Sequence, residues 1–138
     1  MILKGSAELK ARIKAMRLAF KPIGRSWADE YVKVARPMVP EKTGRLRRSI
    51  RRKNASQRKA TVAAHYTAFF VDAGTVPHPI APRKGRGLSW QAGGRTIFAR
   101  RVMHPGSRAR PFRVRAARES LRRKPMAQEL INQWNRGA

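Results

Sequence analysis

From Leu9 the large apolar residues fall at Leu9, Ile13, Met16, Phe20, Ile23, Trp27, Tyr31 and Val34, in steps of three and four. That spacing draws one stripe along a helix that packs against the rest of the domain. Ser6, followed by Glu8 and Leu9, is placed to cap its start, because a serine oxygen can accept an orphan backbone N–H. Pro22 falls inside the pattern and lacks an N–H, so it predicts a kink or two consecutive helices sharing a face. Pro37 and Pro40 end the helical region, since the residue before a proline is pushed towards extended backbone.

The pattern then shortens. In residues 41–50 Thr43 can cap a single turn that brings Leu46 and Ile50 to one side. The same residues also suit a strand in which Leu46, Arg48 and Ile50 alternate. Residues 51–53 and 60–64 flank the polar turn Asn54-Ala55-Ser56-Gln57, and the economical reading is a hairpin. Tyr66, Phe69 and Phe70 are too many rings for a surface loop, and their expected place is between sheet and helix. A second hairpin is predicted from residues 87–91 and 95–102 about Gly93-Gly94. Between Thr75 and that hairpin, Pro77, Pro79 and Pro82 leave residues 76–87 as an extended loop, long enough to suggest a reaching element. Pro111 suits a helix first turn. Phe112, Ala116, Leu121, then Met126, Leu130, Ile131 and Trp134 give two helical pieces divided by Pro125.

The resulting fold class is α+β: a long kinked N-terminal helix packed on a small, mostly antiparallel sheet of hairpins, with a C-terminal helix. One domain over residues 1–138 accommodates it, with a helical region at 1–36, the sheet at 43–104 and a helical region at 111–136.

Charge changes this picture. Thirty-three Lys and Arg against seven Asp and Glu give a net charge of +26. A surface of that kind repels itself and calls for a polyanion, an acidic partner or a place in a larger assembly. The excess is concentrated: residues 36–60 hold ten basic residues against Glu41, and residues 83–124 hold fourteen against Glu119. Arg45, Arg47, Arg48, Arg51, Arg52, Arg100 and Arg101 are the candidates for DNA phosphates or acidic neighbours. Arg83, Lys84, Arg86, Trp90, Arg110 and Phe112 are the candidates for subunit or partner contacts.

Reactive chemistry is sparse. The acids are scattered without the local context of a general acid and base pair. His65, His78 and His104 have no metal-ligand spacing, and cysteine is absent. Gly85-Arg86-Gly87 lacks the strand and the Lys-Ser or Lys-Thr of a phosphate loop, and there is no nucleophile elbow. No catalytic residue, metal site or cofactor is expected, and the reading is not an enzyme. No run of about 18 apolar residues occurs, so a membrane span is not expected either.

Three motifs stand in order along the chain. The first is Pro40-Glu41-Lys42-Thr43-Gly44-Arg45-Leu46-Arg47-Arg48-Ser49. The second is an aromatic segment from Tyr66 that closes on Asp72-Ala73-Gly74-Thr75. The third is His104-Pro105-Gly106 followed by Arg110-Pro111-Phe112 and Ala116. Over roughly residues 5–125 this set resembles the tail-completion, or head–tail joining, family of long-tailed double-stranded DNA phages. The familiar family pattern is Pro-x-x-Thr-Gly-x-Leu-x-x-Ser, an aromatic segment ending in an acid and Gly-Thr, and a Pro-Phe entering a helix. Asp72 stands where the family more often has Glu, and the chain is more basic than a typical member.

The resemblance implies a structural role for Thr43, Gly44, Leu46, Ser49, Tyr66, Asp72, Gly74, Thr75, Pro105, Gly106, Pro111 and Phe112. It also implies a virion protein of the neck, assembled in the host cytoplasm. Such a protein would form a homo-oligomeric ring of roughly six or twelve copies around the DNA channel. Its partners would be the portal-side head-closure proteins and the tail terminator or tail tube, with packaged DNA in the channel. Two other readings remain open: a basic nucleic-acid-binding protein tolerant of sequence, and a small basic ribonuclease, for which no compact constellation of histidine, arginine and acid is visible.

Overall fold

A computed structural model of the protein describes residues 5–83 and 85–136. They fall into two compact units: residues 5–68 with 111–136, and Phe69–Arg110. The fold is α+β, with a long N-terminal helix, small antiparallel strand pairs and a helical C-terminal region.

In the first unit, helix α1 spans Ser6–Met38 and runs through both Pro22 and Pro37, rather than dividing at Pro22. Lys21 and Pro22 are exposed, and so is Leu18 four residues back. The backbone bond that Pro22 cannot make is thus lost on a solvated side, where it costs least. The cap is Gly5, not Ser6, and no side chain bonds the start of the helix.

The buried face of α1 is Gly24, Ala28, Val32, Val34 and Ala35. Apart from Val34, which belongs to both, it lies one position on from the predicted row of large residues, of which Leu9 and Ile13 are exposed. Small side chains on this face let helix α4, Phe112–Arg123, approach closely, and α4 presents buried Ala116 and Ser120.

A short helix α2, Arg45–Ser49, resolves the ambiguity of residues 41–50. Its N-cap is Gly44, in the left-handed region, while Thr43 Oγ1 accepts the Arg45 N–H at 3.4 Å. Strands β1, Arg51–Ala55, and β2, Ala60–Ala63, form the first antiparallel hairpin and pack on α1. The turn sits two residues later than expected: Ser56 N donates to Lys59 O at 2.8 Å, and Ser56 Oγ accepts the Arg58 and Lys59 N–H groups. Helix α3, Thr67–Ala73, carries the chain from the first unit into the second.

The chain returns to the first unit at helix α4, Phe112–Arg123, and ends its described part in α5, Met126–Arg136. Pro125 divides these two, as the sequence predicts. Phe112, Ala116, Val39 and Ile50 complete the core of this unit together with the buried face of α1.

The second unit is a two-stranded ribbon. Strand β3, His78–Ile80, pairs antiparallel with β6, Val102–His104, and between them β4, Leu88–Ala92, pairs with β5, Arg95–Ala99. The bridge Thr75↔Ser107 keeps the register of the β3–β6 pair. Residues 76–87 are therefore not one extended loop: their first part is a strand of the ribbon. Nor do the strands of residues 43–104 merge into one sheet; they form three separate pairs. Among the described residues no helix is long and apolar enough to cross a membrane.

Candidate functional site

The first and second sequence motifs begin in one place. Ser49 Oγ donates to Leu46 O at 2.7 Å and accepts the His65 N–H at 2.8 Å. The Pro-x-x-Thr-Gly-x-Leu-x-x-Ser element is thereby fastened to the start of the aromatic segment. His65 Nδ1 lies 3.0 Å from Thr67 Oγ1, and the His65 and Tyr66 rings are 4.3 Å apart.

The end of the second motif meets the third motif inside the second unit. Thr75 and Ser107 exchange both backbone hydrogen bonds at 3.0 Å, and their hydroxyls lie 3.0 Å apart. Arg110 N donates to Val71 O at 2.9 Å. Gly74 has φ +75°, and a Cβ there would stand 2.6 Å from Ser107 O, so glycine is required by both conformation and space. His104 Nδ1 accepts the Gly106 N–H at 3.0 Å, which turns the chain through Pro105. Motifs that stand some thirty residues apart in sequence thus close the base of the ribbon.

The aromatic residues do not fill a core. Tyr66, Phe69 and Phe70 are all exposed, Phe69 at 59%. Phe69 and Phe70 touch each other edge to face at 5.7 Å. Beyond them Val76, Ile80, Trp90, Ile97, Phe98 and Met103 are exposed as well, and no described residue of Phe69–Arg110 is buried. The physical reason is the ribbon: two strands without a third layer have no inside. This stretch carries eight Lys and Arg against the single acid Asp72.

Among the contact candidates Arg83, Arg86 and Arg110 are exposed and Trp90 is 39% exposed, while Lys84 lies outside the described residues. Phe112 is 4% exposed and belongs to the core of the first unit, so it has little surface to offer a partner. Its apolar ring at the start of α4 is held by burial, which the Pro-Phe signal alone did not reveal.

The arginine candidates separate into two groups. Arg47 Nη1 is 2.7 Å from Glu41, Arg52 Nε is 2.7 Å from Asp29, and Arg48 Nη2 donates to Thr43 O at 3.1 Å. Those three are partly spent on their own unit. Arg45, Arg51, Arg100 and Arg101 are exposed. Sequence reasoning missed the cluster on α4, where Glu119 receives Arg122 at 2.9 Å and Arg123 at 2.7 Å. Hydrogen bonds from Arg122 and Arg123 lower the Glu119 carboxyl to about 2, and Glu119 in turn raises the Arg122 guanidinium. Its i+3 and i+4 spacing was the available signal.

A cavity of about 180 Å³ lies in the first unit among Trp27, Tyr31, Ile50, Val62, Phe112 and Arg113. Trp27 Nε1 is buried without a hydrogen-bond partner. Among the described residues no group of three or more histidines and acids is placed to hold a metal ion. In the second unit exposed rings and aliphatic side chains stand among exposed arginines.

Comparison with protein-family models, curated proteins and solved structures gives no match to this chain.

Proposed function

We propose that the protein is a structural subunit of a phage neck, which joins the DNA-filled head to the tail as part of a ring around the DNA channel. One observation carries the reading: a ribbon with no buried residue among those described displays aromatic and aliphatic side chains between arginines. Apolar surface of this extent is stabilised when another surface removes it from water. The ordered motifs support the same reading, because the residues of the second and third motifs meet at the ribbon base. In a ring, each copy's positive charge is offset by acidic neighbours or by DNA phosphates. The ring follows from head-to-tail contacts whose rotation closes.

Imaging is the direct test. The purified chain, mixed with the products of its flanking genes, is expected at the junction of heads and tails, and particles made without it are expected to leave heads and tails unjoined. Joined particles without the chain would end this reading.

A second reading, sequence-tolerant nucleic-acid binding, is favoured by the exposed Arg45, Arg51, Arg100 and Arg101. Titration of a duplex at two salt concentrations distinguishes them. Tight binding by the isolated chain that weakens steeply with salt, without assembly on neck partners, supports the second reading.

A further inference from the structure

The β4–β5 hairpin is unusual in having a cation-free middle within so basic a chain. Its register places Leu88 opposite Ala99, Trp90 opposite Ile97 and Ala92 opposite Arg95. Paired residues of an antiparallel ladder share a face. One face therefore reads Leu88, Trp90, Ala92, Ile97 and Ala99, with Arg95 at the tip. Ser89, Gln91, Thr96 and Phe98 form the other face, where Gln91 Nε2 donates to Thr96 Oγ1 at 2.7 Å. At the base stand exposed Arg86, Arg100 and Arg101. From Arg95 to Ala99 strand β5 rises about 13 Å. No acid occurs anywhere between Asp72 and Glu119.

We infer that this hairpin is a docking arm whose Trp90–Ile97 face seats in an apolar groove with an acidic rim on a different protein chain. The inference names the partner chemistry of the surface on which the neck reading rests. An apolar centre flanked by charges at both ends is the anatomy of a protein interface, with a desolvated aromatic anchor and a polar rim.

A nucleic acid is a poorer occupant. Its phosphates recur every 3.4 Å or so along each strand, yet the central rungs of the hairpin hold no cation to meet them. Base stacking would engage the Trp90 and Phe98 rings but leave Leu88, Ala92, Ile97 and Ala99 without a role. A second copy would bring another arginine-tipped arm and a like net charge of +26 to the same place. Both strands of the hairpin also have unpaired outer edges, since β4 and β5 form a two-stranded sheet. A groove that covers the apolar face would stabilise a hairpin that is marginal by itself.

The test places a photo-crosslinking benzoylphenylalanine at position 90 of the full chain, made in the cell that normally produces it. The crosslinked peptide is then identified by mass spectrometry. The expected product is a peptide of a different protein in which apolar residues are flanked by Asp or Glu. Crosslinks to nucleic acid, crosslinks to another copy of this chain, or no product at any exposure would each overturn the inference.

With that partner purified, Trp90→Ala is expected to weaken binding tenfold or more. R95E, beside the tip of the hairpin, is expected to slow association and to remove part of its salt dependence. Unchanged affinity in both variants would also overturn the inference. The two readings fail separately. A partner of this chemistry that is absent from virions would sink the neck assignment alone, whereas joined particles whose position 90 crosslinks to DNA would sink the docking arm alone.

Discussion

Ser49 Oγ stands between two backbone groups, giving its proton to Leu46 O at 2.7 Å and taking the His65 N–H at 2.8 Å across 16 residues of chain. A single hydroxyl thus ends α2 and fixes the strand exit at the far side of the first hairpin. Ser49→Ala leaves the partly buried His65 N–H without an acceptor, and the expected cost is about 1–3 kcal/mol. Denaturant unfolding reads the loss, and amide exchange at His65 reads its place. An unaltered exchange rate at that amide would show that the contact is not what holds the exit.

Gly74 cannot be replaced without disturbing the ribbon base. Its φ of +75° and the 2.6 Å approach of a Cβ to Ser107 O act together. In Gly74→Ala the Thr75 and Ser107 amides are expected to lose exchange protection, while α1 and α4 keep theirs. Retained protection at both amides would contradict the close approach.

Phe112 anchors the core of the first unit from the start of α4, at 4% exposure. Phe112→Ala is expected to cost about 3–5 kcal/mol, the usual range for deleting a buried ring. The cavity beside it already holds about 180 Å³, so part of the loss depends on whether Trp27 and Ile50 relax into the space. A thermal scan with the unfolding midpoint nearly unchanged would mean that Phe112 is not a core residue.

Glu119 gives the stability a dependence on acid. Its folded pKa is lowered from 4.5 to about 2 by hydrogen bonds from Arg122 and Arg123. A depressed carboxylate contributes stability above its unfolded pKa and loses it as pH falls through the folded value. The thermal midpoint of the wild-type chain is therefore expected to drop between about pH 4.5 and about pH 2. In E119Q that part of the drop should be missing. Parallel curves for the two proteins would show that the cluster on α4 is not linked to folding.

The core helices were legible in the sequence because large apolar residues at steps of three and four leave a helix few other arrangements. Even there the deepest face, Val34 apart, was misread by one position. Gly24, Ala28 and Ala35 carry little hydrophobic signal, yet small residues are what close helix packing requires. The hairpin about Gly93–Gly94 was legible through its turn chemistry, whereas the first hairpin was foreseen with its turn two residues before Ser56–Lys59.

The β3–β6 pair of the ribbon was not legible. Prolines at 77, 79 and 82 read as loop, since proline is excluded from central strands. In a two-stranded pair every strand is an edge, so Pro79 is tolerated within β3. The exposed rings were misplaced for a related reason: sequence gives hydrophobicity but not the number of layers available to bury it. By itself the sequence determined a basic α+β chain with a long helix at one end, proline-divided helices at the other, and glycine turns between. Only the tertiary structure decided that the described residues of 69–110 have no interior and that Gly74-Thr75 meets Ser107 at their base. The physical reason is that burial and pairing between distant residues depend on where the backbone returns, which local pattern does not encode.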